Sequence, residues 1–356
     1  MIFNRIRLTQ PRRLSSLVPA VLACVTCSGA LALDAQRDDV QGFIGQMQER
    51  HGFDPAVLNE VFGSVESKES IIAAMTRPAE KRLTWPEYRK IFITEKRVSG
   101  GARIAQEQSD ALAKAAARGV PASVIIAITG VETFYGGNIG SYRVVDALST
   151  LAFDYPPRSE FFRRELEQFL LMSREESVSP LGPVGSYAGA MGIPQFMPSS
   201  FREYAVDGNG DGRRDLWGSW DDIFASVANY LKVHGWQDGE PVMVAANVAN
   251  ASLQGLDTDS LEFKETVASL KRRGIRFDTD MPASTPAMLI ELPGESAPSY
   301  RVGFRNFYVI TRYNRSRLYA SAVNDLAEAI DERLPSTASP ARPSAEGPPP
   351  FSSGSP

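Results

Sequence analysis

The sequence predicts a mainly α-helical chain with a small β-containing element set just before its last helix. Three observations predict it. Apolar residues recur at helical spacing, as in Val40, Phe43, Ile44 and Met47, which fall at i, i+3, i+4 and i+7. An Ala-rich stretch, Ser109–Arg118, adds strong helix formers. Past residue 241 the texture changes, and two apolar runs of strand length flank Pro293-Gly294. The chain of 356 residues, 43% hydrophobic and 22% charged, is long enough to bury a substantial core.

The first element is an export signal. Arg5, Arg7, Arg12 and Arg13 precede an apolar stretch from Leu14 to about Cys27, then small residues ending in Ala30-Leu31-Ala32. That order of charge, grease and an A-x-A site is a secretory signal over residues 1–32, so the chain is expected to be exported, to the periplasm. Cys24 and Cys27 both fall inside it. Val21-Leu22-Ala23-Cys24 also resembles a lipobox, and lipidation at Cys24 would give a lipoprotein anchored to the outer membrane. Removing four arginines and no acids takes the net charge from −4 to about −8. A chain with that field is unsuited to nucleic acid or anionic lipid, whereas a neutral or amphoteric polymer is compatible with it.

Residues 33–334 form the expected folded region. Residues 35–120 read mostly as helix, with breaks at Gly100-Gly101 and at Gly119-Val120-Pro121 and with Ser109 or Asp110 capping the Ala-rich stretch. From Pro121 to Tyr135 a strongly apolar helix follows, Pro121 in its first turn and Gly136-Gly137 as its C-cap. Helix and turn continue over 145–175, broken at Pro156-Pro157. Residues 177–200 are rich in Gly, Ser and Pro and read as a structured loop leading into a short helix. A further helix over 222–234 carries Ile223, Val227, Tyr230 and Leu231 on one face. The β-containing element, about 241–311, includes the runs Ala287–Leu292 and Tyr300–Phe304, and a last helix spans about 317–333. The tail, 335–356, is mostly Pro, Ser, Ala and Gly and is expected to be disordered.

Glu132 interrupts the apolar run Val124–Val131. At about 100° per residue it stacks over Ile128 and Ile125, on the greasy face of the helix. It also lies in the last turn, where the helix dipole disfavours a negative charge. Both effects favour the protonated carboxyl, which is what a general acid needs to protonate a glycosidic oxygen. The plainer alternative is a helix-end Glu facing water or paired with Arg143.

Three sequence blocks bear on that choice. They are Gly130-Val131-Glu132-Thr133, the stretch Ser186-Tyr187-Ala188-Gly189-Ala190-Met191-Gly192-Ile193-Pro194-Gln195-Phe196-Met197-Pro198-Ser199, and Asn306-Phe307-Tyr308-Val309-Ile310-Thr311-Arg312-Tyr313-Asn314-Arg315-Ser316. In this order they resemble the lytic murein transglycosylases of the membrane-bound B type, over roughly residues 38–333. The resemblance implies a lysozyme-like catalytic core, an additional helical region and peptidoglycan glycan strands as substrate, with other cell-wall enzymes as candidate partners. It implies that Glu132 protonates the bond between N-acetylmuramic acid and N-acetylglucosamine. As a base, Glu132 would then help the muramoyl C6 hydroxyl close a 1,6-anhydro ring. Ser186, Gln195, Tyr230, Tyr313, Asn314 and Tyr319 match positions lining the sugar cleft. Amides and hydroxyls suit sugar hydrogen bonding, and aromatic rings suit sugar faces. Tyr230 and Tyr319 also fit as core residues, Ser186 as a loop cap, and Gly189, Gly192 and Pro194 as backbone devices.

A hydrolytic muramidase would need a second carboxylate, and Asp146, Asp154 and Glu160 are available for it. A calcium-dependent peptidoglycan-binding protein without activity is the reading of another class. Two histidines, His51 and His234, are too few for a comfortable His-based metal site or Ser-His-Asp triad.

Asp207-Gly208-Asn209-Gly210-Asp211-Gly212 fits the first half of an EF-hand loop, with oxygen ligands at positions 1, 3 and 5 and Gly at 6. Arg213 would add its carbonyl, and Gly218 stands where the closing Glu is expected. In the family it resembles the loop is longer, and its closing carboxylate maps to Asp221 or Asp222. The expectation is a structural Ca²⁺; an Asx-rich turn without metal is the plainer alternative.

Overall fold

The computed structural model describes residues 31–76 and 83–334. The expected signal segment up to residue 30, with Cys24 and Cys27, and the tail over 335–356 lie outside the described residues.

A two-residue strand, β1 (Leu31–Ala32), leads into α1 (Asp38–His51) and α2 (Pro55–Gly63), and β1 pairs with β2 (Glu66–Ser67). This pairing starts two residues before the expected boundary at residue 33. Helices α3 (Glu69–Thr76), α4 (Trp85–Phe92), α5 (Glu95–Glu107) and α6 (Ser109–Ala116) follow. Next come α7 (Ala122–Thr133), β3 (Tyr142–Arg143), α8 (Val144–Phe153), α9 (Ser159–Glu175), β4 (Val184–Gly185), α10 (Pro198–Tyr204) and α11 (Trp220–Val233). The β-containing element holds β5 (Met243–Ala246), β6 (Glu265–Thr266), α12 (Val267–Arg272), β7 (Pro286–Leu292) and β8 (Ser299–Gly303). Two helices, α13 (Arg305–Tyr313) and α14 (Arg317–Asp331), close the described chain. No helix among the described residues is long and apolar enough to cross a membrane.

Helix α7 is the hub. Val124 through Val131 are all buried, because α5, α6, α11 and α14 pack around it. The expectation of a strongly apolar helix holds, and α7 is buried on every side, as a central helix must be. Glu132 sits near its C-terminal end and is half-buried.

Four local expectations are corrected. Gly100-Gly101 does not break a helix; α5 runs through both. A Cβ on Gly101 would lie 2.5 Å from the Tyr135 hydroxyl and 2.6 Å from Ile330, so the pair clears space for close packing. Helix α7 ends before Gly136-Gly137, with Phe134 as its cap in the left-handed conformation. Pro121 is the N-cap of α7 rather than a first-turn residue, and Gln108 stands at the N-cap of α6 in place of Ser109 or Asp110.

The sheet order is β5-β8-β7-β6, all antiparallel. Strand β7 is buried on both faces. Met288, Ile290 and Leu292 point to the main core, whereas Ala287 and Leu289 join Val302, Phe304, Val267, Leu270, Ile275 and Phe277 in a second small core. Period-2 alternation thus assigns alternate residues of one strand to two cores. The sheet's role for the site is to carry α13 and α14 back onto the hub.

Candidate active site

Glu132 lies one residue from the end of α7, half-buried among fully buried neighbours. Its Oε1 accepts a hydrogen bond from the Tyr319 hydroxyl at 2.6 Å. Burial pushes its carboxyl up to about 7, and the Tyr319 bond opposes this by favouring the anion. The alternative pairing with Arg143 does not form: Arg143 holds Asp146 at 2.8 Å and the Ser64 carbonyl at 2.9 Å.

Three tyrosines converge on that carboxyl. Tyr319, on α14, is buried, and both desolvation and the charge of Glu132 hold its hydroxyl well above its usual range. Tyr313, at the end of α13, is affected in the same way and donates to the Pro194 carbonyl at 2.5 Å. Tyr88, on α4, is pushed up to about 12 by burial and by the Glu132 charge. Sequence reasoning missed Tyr88. It lies in none of the three blocks, and only packing of α4 against α14 brings it here.

The Ser186–Phe196 loop borders the same end of α7. The Thr133 hydroxyl donates to the Ile193 carbonyl at 2.9 Å, so the residue after Glu132 is fastened to this loop. Inside it, Met191 and Phe196 exchange backbone hydrogen bonds at 2.8 and 3.1 Å. Gly192 has φ 68°, and a Cβ there would meet the Leu216 carbonyl oxygen at 2.5 Å, so it is a backbone device. Gln195 has φ 55°, and its Nε2 donates to the carbonyls of Gly192 at 2.9 Å and Ile139 at 3.2 Å. The Ser186 Oγ accepts the N–H groups of Ala190 at 3.0 Å and Ala188 at 3.3 Å, which is loop-capping geometry. The Tyr230 hydroxyl donates to the Arg312 carbonyl at 2.6 Å, and its ring stacks on His234 at 4.1 Å and meets Tyr313 edge-on at 4.8 Å. Asn314 is exposed at the C-terminal cap of α13.

The carboxylates considered for a second catalytic role are engaged elsewhere. Asp146 takes Arg143 and the Glu66 N–H; Asp154 takes Arg37 and the Ser67 hydroxyl; Glu160 pairs with Arg164.

The Asp207–Gly212 loop is organised by its own carboxylates. Asp207 accepts the N–H groups of Gly210 at 2.6 Å, Gly212 at 2.8 Å and Asp211 at 3.2 Å. These bonds, with the one from Gly212 foremost, hold its carboxyl below the usual range. Asn209 Nδ2 donates to Asp211 at 3.1 Å, and Asp211 Oδ1 accepts the Arg213 N–H at 2.9 Å. Asp222 is fully buried and accepts the N–H groups of Gly208 and Asp215, each at 2.8 Å, whereas Asp221 pairs with Lys114 at 3.0 Å. Among the described residues no three His, Cys, Asp or Glu side chains converge as a metal-holding group. The loop's donors are carboxylate, amide and carbonyl oxygens, the hard set that calcium takes.

Residues 35–328 match the family model described as the transglycosylase SLT domain. The chain is 40% identical over 306 residues to membrane-bound lytic murein transglycosylase B of Escherichia coli strain K12, covering 83% of each chain. Among solved structures it is similar to the soluble lytic transglycosylase SltB1 of Pseudomonas aeruginosa, with 46% identity, TM-score 0.79, and 82% of this chain and 98% of that one covered. It is also similar to the Escherichia coli lytic transglycosylase Slt35 in complex with calcium, with 40% identity, TM-score 0.78, and coverage of 85% and 96%. With the fold, the half-buried Glu132 and these likenesses together, the chain belongs to the SLT transglycosylase family and is an enzyme of its lytic transglycosylase class.

Proposed function

We propose that this enzyme cuts the β-1,4 bond between N-acetylmuramic acid and N-acetylglucosamine in peptidoglycan, with Glu132 as its single acid and base. The observation that carries this reading is one carboxyl raised to about 7 whose side-chain hydrogen-bond partner is a tyrosine. Near neutral pH such a carboxyl holds a proton to give to the leaving oxygen, and the bond from Tyr319 steadies the anion that results. That anion then takes the proton of the muramoyl C6 hydroxyl as its oxygen attacks C1. The bond to the leaving sugar breaks, a 1,6-anhydro ring forms, and no water is consumed. A hydrolytic route needs a second carboxylate to activate water. The engagement of Asp146, Asp154 and Glu160 in other pairs speaks against that route.

In this reading Gln195 keeps its amide oxygen for an N-acetyl N–H, since both of its bonds use the NH₂ group. Ser186 keeps its hydroxyl proton to donate, and Asn314 offers an exposed amide at the cleft edge. Tyr230 and Tyr313 act through their rings, as their hydroxyls are committed to backbone. Asp207, Asn209 and Asp211, with the Arg213 carbonyl and a carboxylate from Asp221 or Asp222, would hold one Ca²⁺. The ion would supply rigidity to the loop leading into α11 and no chemistry. The leader over residues 1–32 would deliver the enzyme to the periplasm, with membrane attachment if Cys24 is acylated.

The test is digestion of purified sacculi followed by mass spectrometry of the fragments. Anhydro-muropeptides are expected, and none from Glu132→Gln. Reducing ends in their place would indicate hydrolysis, and an active Glu132→Gln enzyme would overturn the assignment.

A further inference from the structure

The chain just past Glu132 takes an uncommon path. Phe134, Tyr135 and Gly136 have φ values of 55°, 60° and 88°, three successive residues in the left-handed region. Aromatic residues rarely adopt it, and when two in a row do so beside a reacting group, something must hold them there.

Helix α5 does the holding. The Tyr135 hydroxyl donates to the Arg97 carbonyl at 2.7 Å. Its ring fills a slot that exists because three positions lack a Cβ. An added Cβ would approach Tyr135 at 3.2 Å from Gly100, 2.5 Å from Gly101 and 2.7 Å from Gly130. The Arg97 side chain completes the grip. Its Nε donates to the Gly130 carbonyl at 3.0 Å, and its guanidinium lies 4.8 Å from the centre of the Phe134 ring. Glu132 is thus held on both sides, through Gly130 two residues before it and Tyr135 three residues after it.

We propose that Tyr135, seated in the Gly100-Gly101-Gly130 slot and tied to Arg97, is a positioning residue. It fixes the end of α7 so that the Glu132 carboxyl stays against Tyr319 and in line with the scissile bond. Tyr135 touches neither substrate nor reacting atoms and acts through the backbone that carries Glu132. The inference rests on Glu132 being the acid/base.

The experiment compares Tyr135→Phe, which keeps the ring and loses the hydroxyl, with Tyr135→Leu, which empties the slot. Turnover of a soluble glycan fragment is followed from pH 5 to 9, beside Glu132→Gln and with thermal midpoints recorded. The expected result is a kcat lowered roughly tenfold by Phe and on the order of a hundredfold by Leu, with KM within about twofold, since misplacing a catalytic group by about an ångström costs that much. The alkaline limb of kcat moves to lower pH as the carboxyl relaxes toward water. Lowered thermal midpoints with kcat and pH profile unchanged would mean that Tyr135 only stabilises the fold, and would overturn the inference. An active Glu132→Gln enzyme would instead remove the reading beneath it.

Discussion

Glu132 and Asp207 are both carboxylates set near the end of a helix or turn, and the protein treats them in opposite ways. Glu132 sits among the tyrosines Tyr88, Tyr313 and Tyr319 and receives one hydroxyl, so desolvation dominates and its proton stays to about pH 7. Asp207 is exposed enough to keep its water and receives three backbone N–H groups, so the anion dominates. The difference teaches what each can do. A carboxyl that holds its proton near neutral pH can give it away and take another. A carboxylate caged by N–H groups is a permanent charge, suited to organise a loop or hold a cation.

The largest effect expected from breaking this contrast is on turnover. Glu132→Gln keeps the shape and removes the proton, and should lower kcat by about 10²–10⁴-fold, the usual span of general acid–base catalysis. Steady-state assays on soluble glycan fragments read this directly.

The same carboxyl should cost stability at high pH. Its native pKa lies above its unfolded value, 4.5 against about 7, so between those limits the native state holds a proton that the unfolded state has lost. Stability from this group is therefore full below about pH 4.5 and is lost as pH rises through about 7. The span converts to roughly 3 kcal/mol. Glu132→Gln should accordingly be more stable than the parent at pH 8 and equal to it at pH 4.5, by denaturant titration. Equal stability at both pH values would break the comparison.

Much of this contrast was legible in the sequence. The interruption of an apolar run by Glu132 and the D-x-N-x-D-G spacing each name a chemistry before any fold is known. Other parts needed three dimensions. Gly100-Gly101 reads as a break, because a sequence does not say that Tyr135 and Ile330 will pack there. Tyr88 has no local signal, since 44 residues separate it from Glu132. The Gly136-Gly137 cap was misplaced because Phe134 adopts a conformation for which glycine is the usual choice. In each case a tertiary contact outweighed a local preference.

The loop half of the comparison is tested by adding calcium. Filling a native-only site to a hundredfold over its Kd stabilises by about 2.7 kcal/mol. The thermal midpoint should therefore rise with calcium and fall with chelator, and Asp207→Ala should abolish the response while leaving Glu132 chemistry in place. An unresponsive parent enzyme would leave the loop as an Asx-rich turn.

A smaller effect should follow from Tyr319→Phe. The hydroxyl steadies the Glu132 anion, so its loss should raise the Glu132 pKa further and move the alkaline limb of kcat upward. The accompanying fall in kcat should be about tenfold, on the scale of one hydrogen bond to a charged group at about 1.5 kcal/mol. A limb that moves downward would show the bond working in the opposite sense.

The most direct measurement is a carbon-detected NMR titration of the enzyme labelled at its glutamate carboxyls, run beside Glu132→Gln. One glutamate is expected to titrate near pH 7 in the parent and to be missing from the variant. If every glutamate carboxyl titrates below about pH 5, Glu132 holds no proton at neutral pH, and it cannot act as the general acid described here.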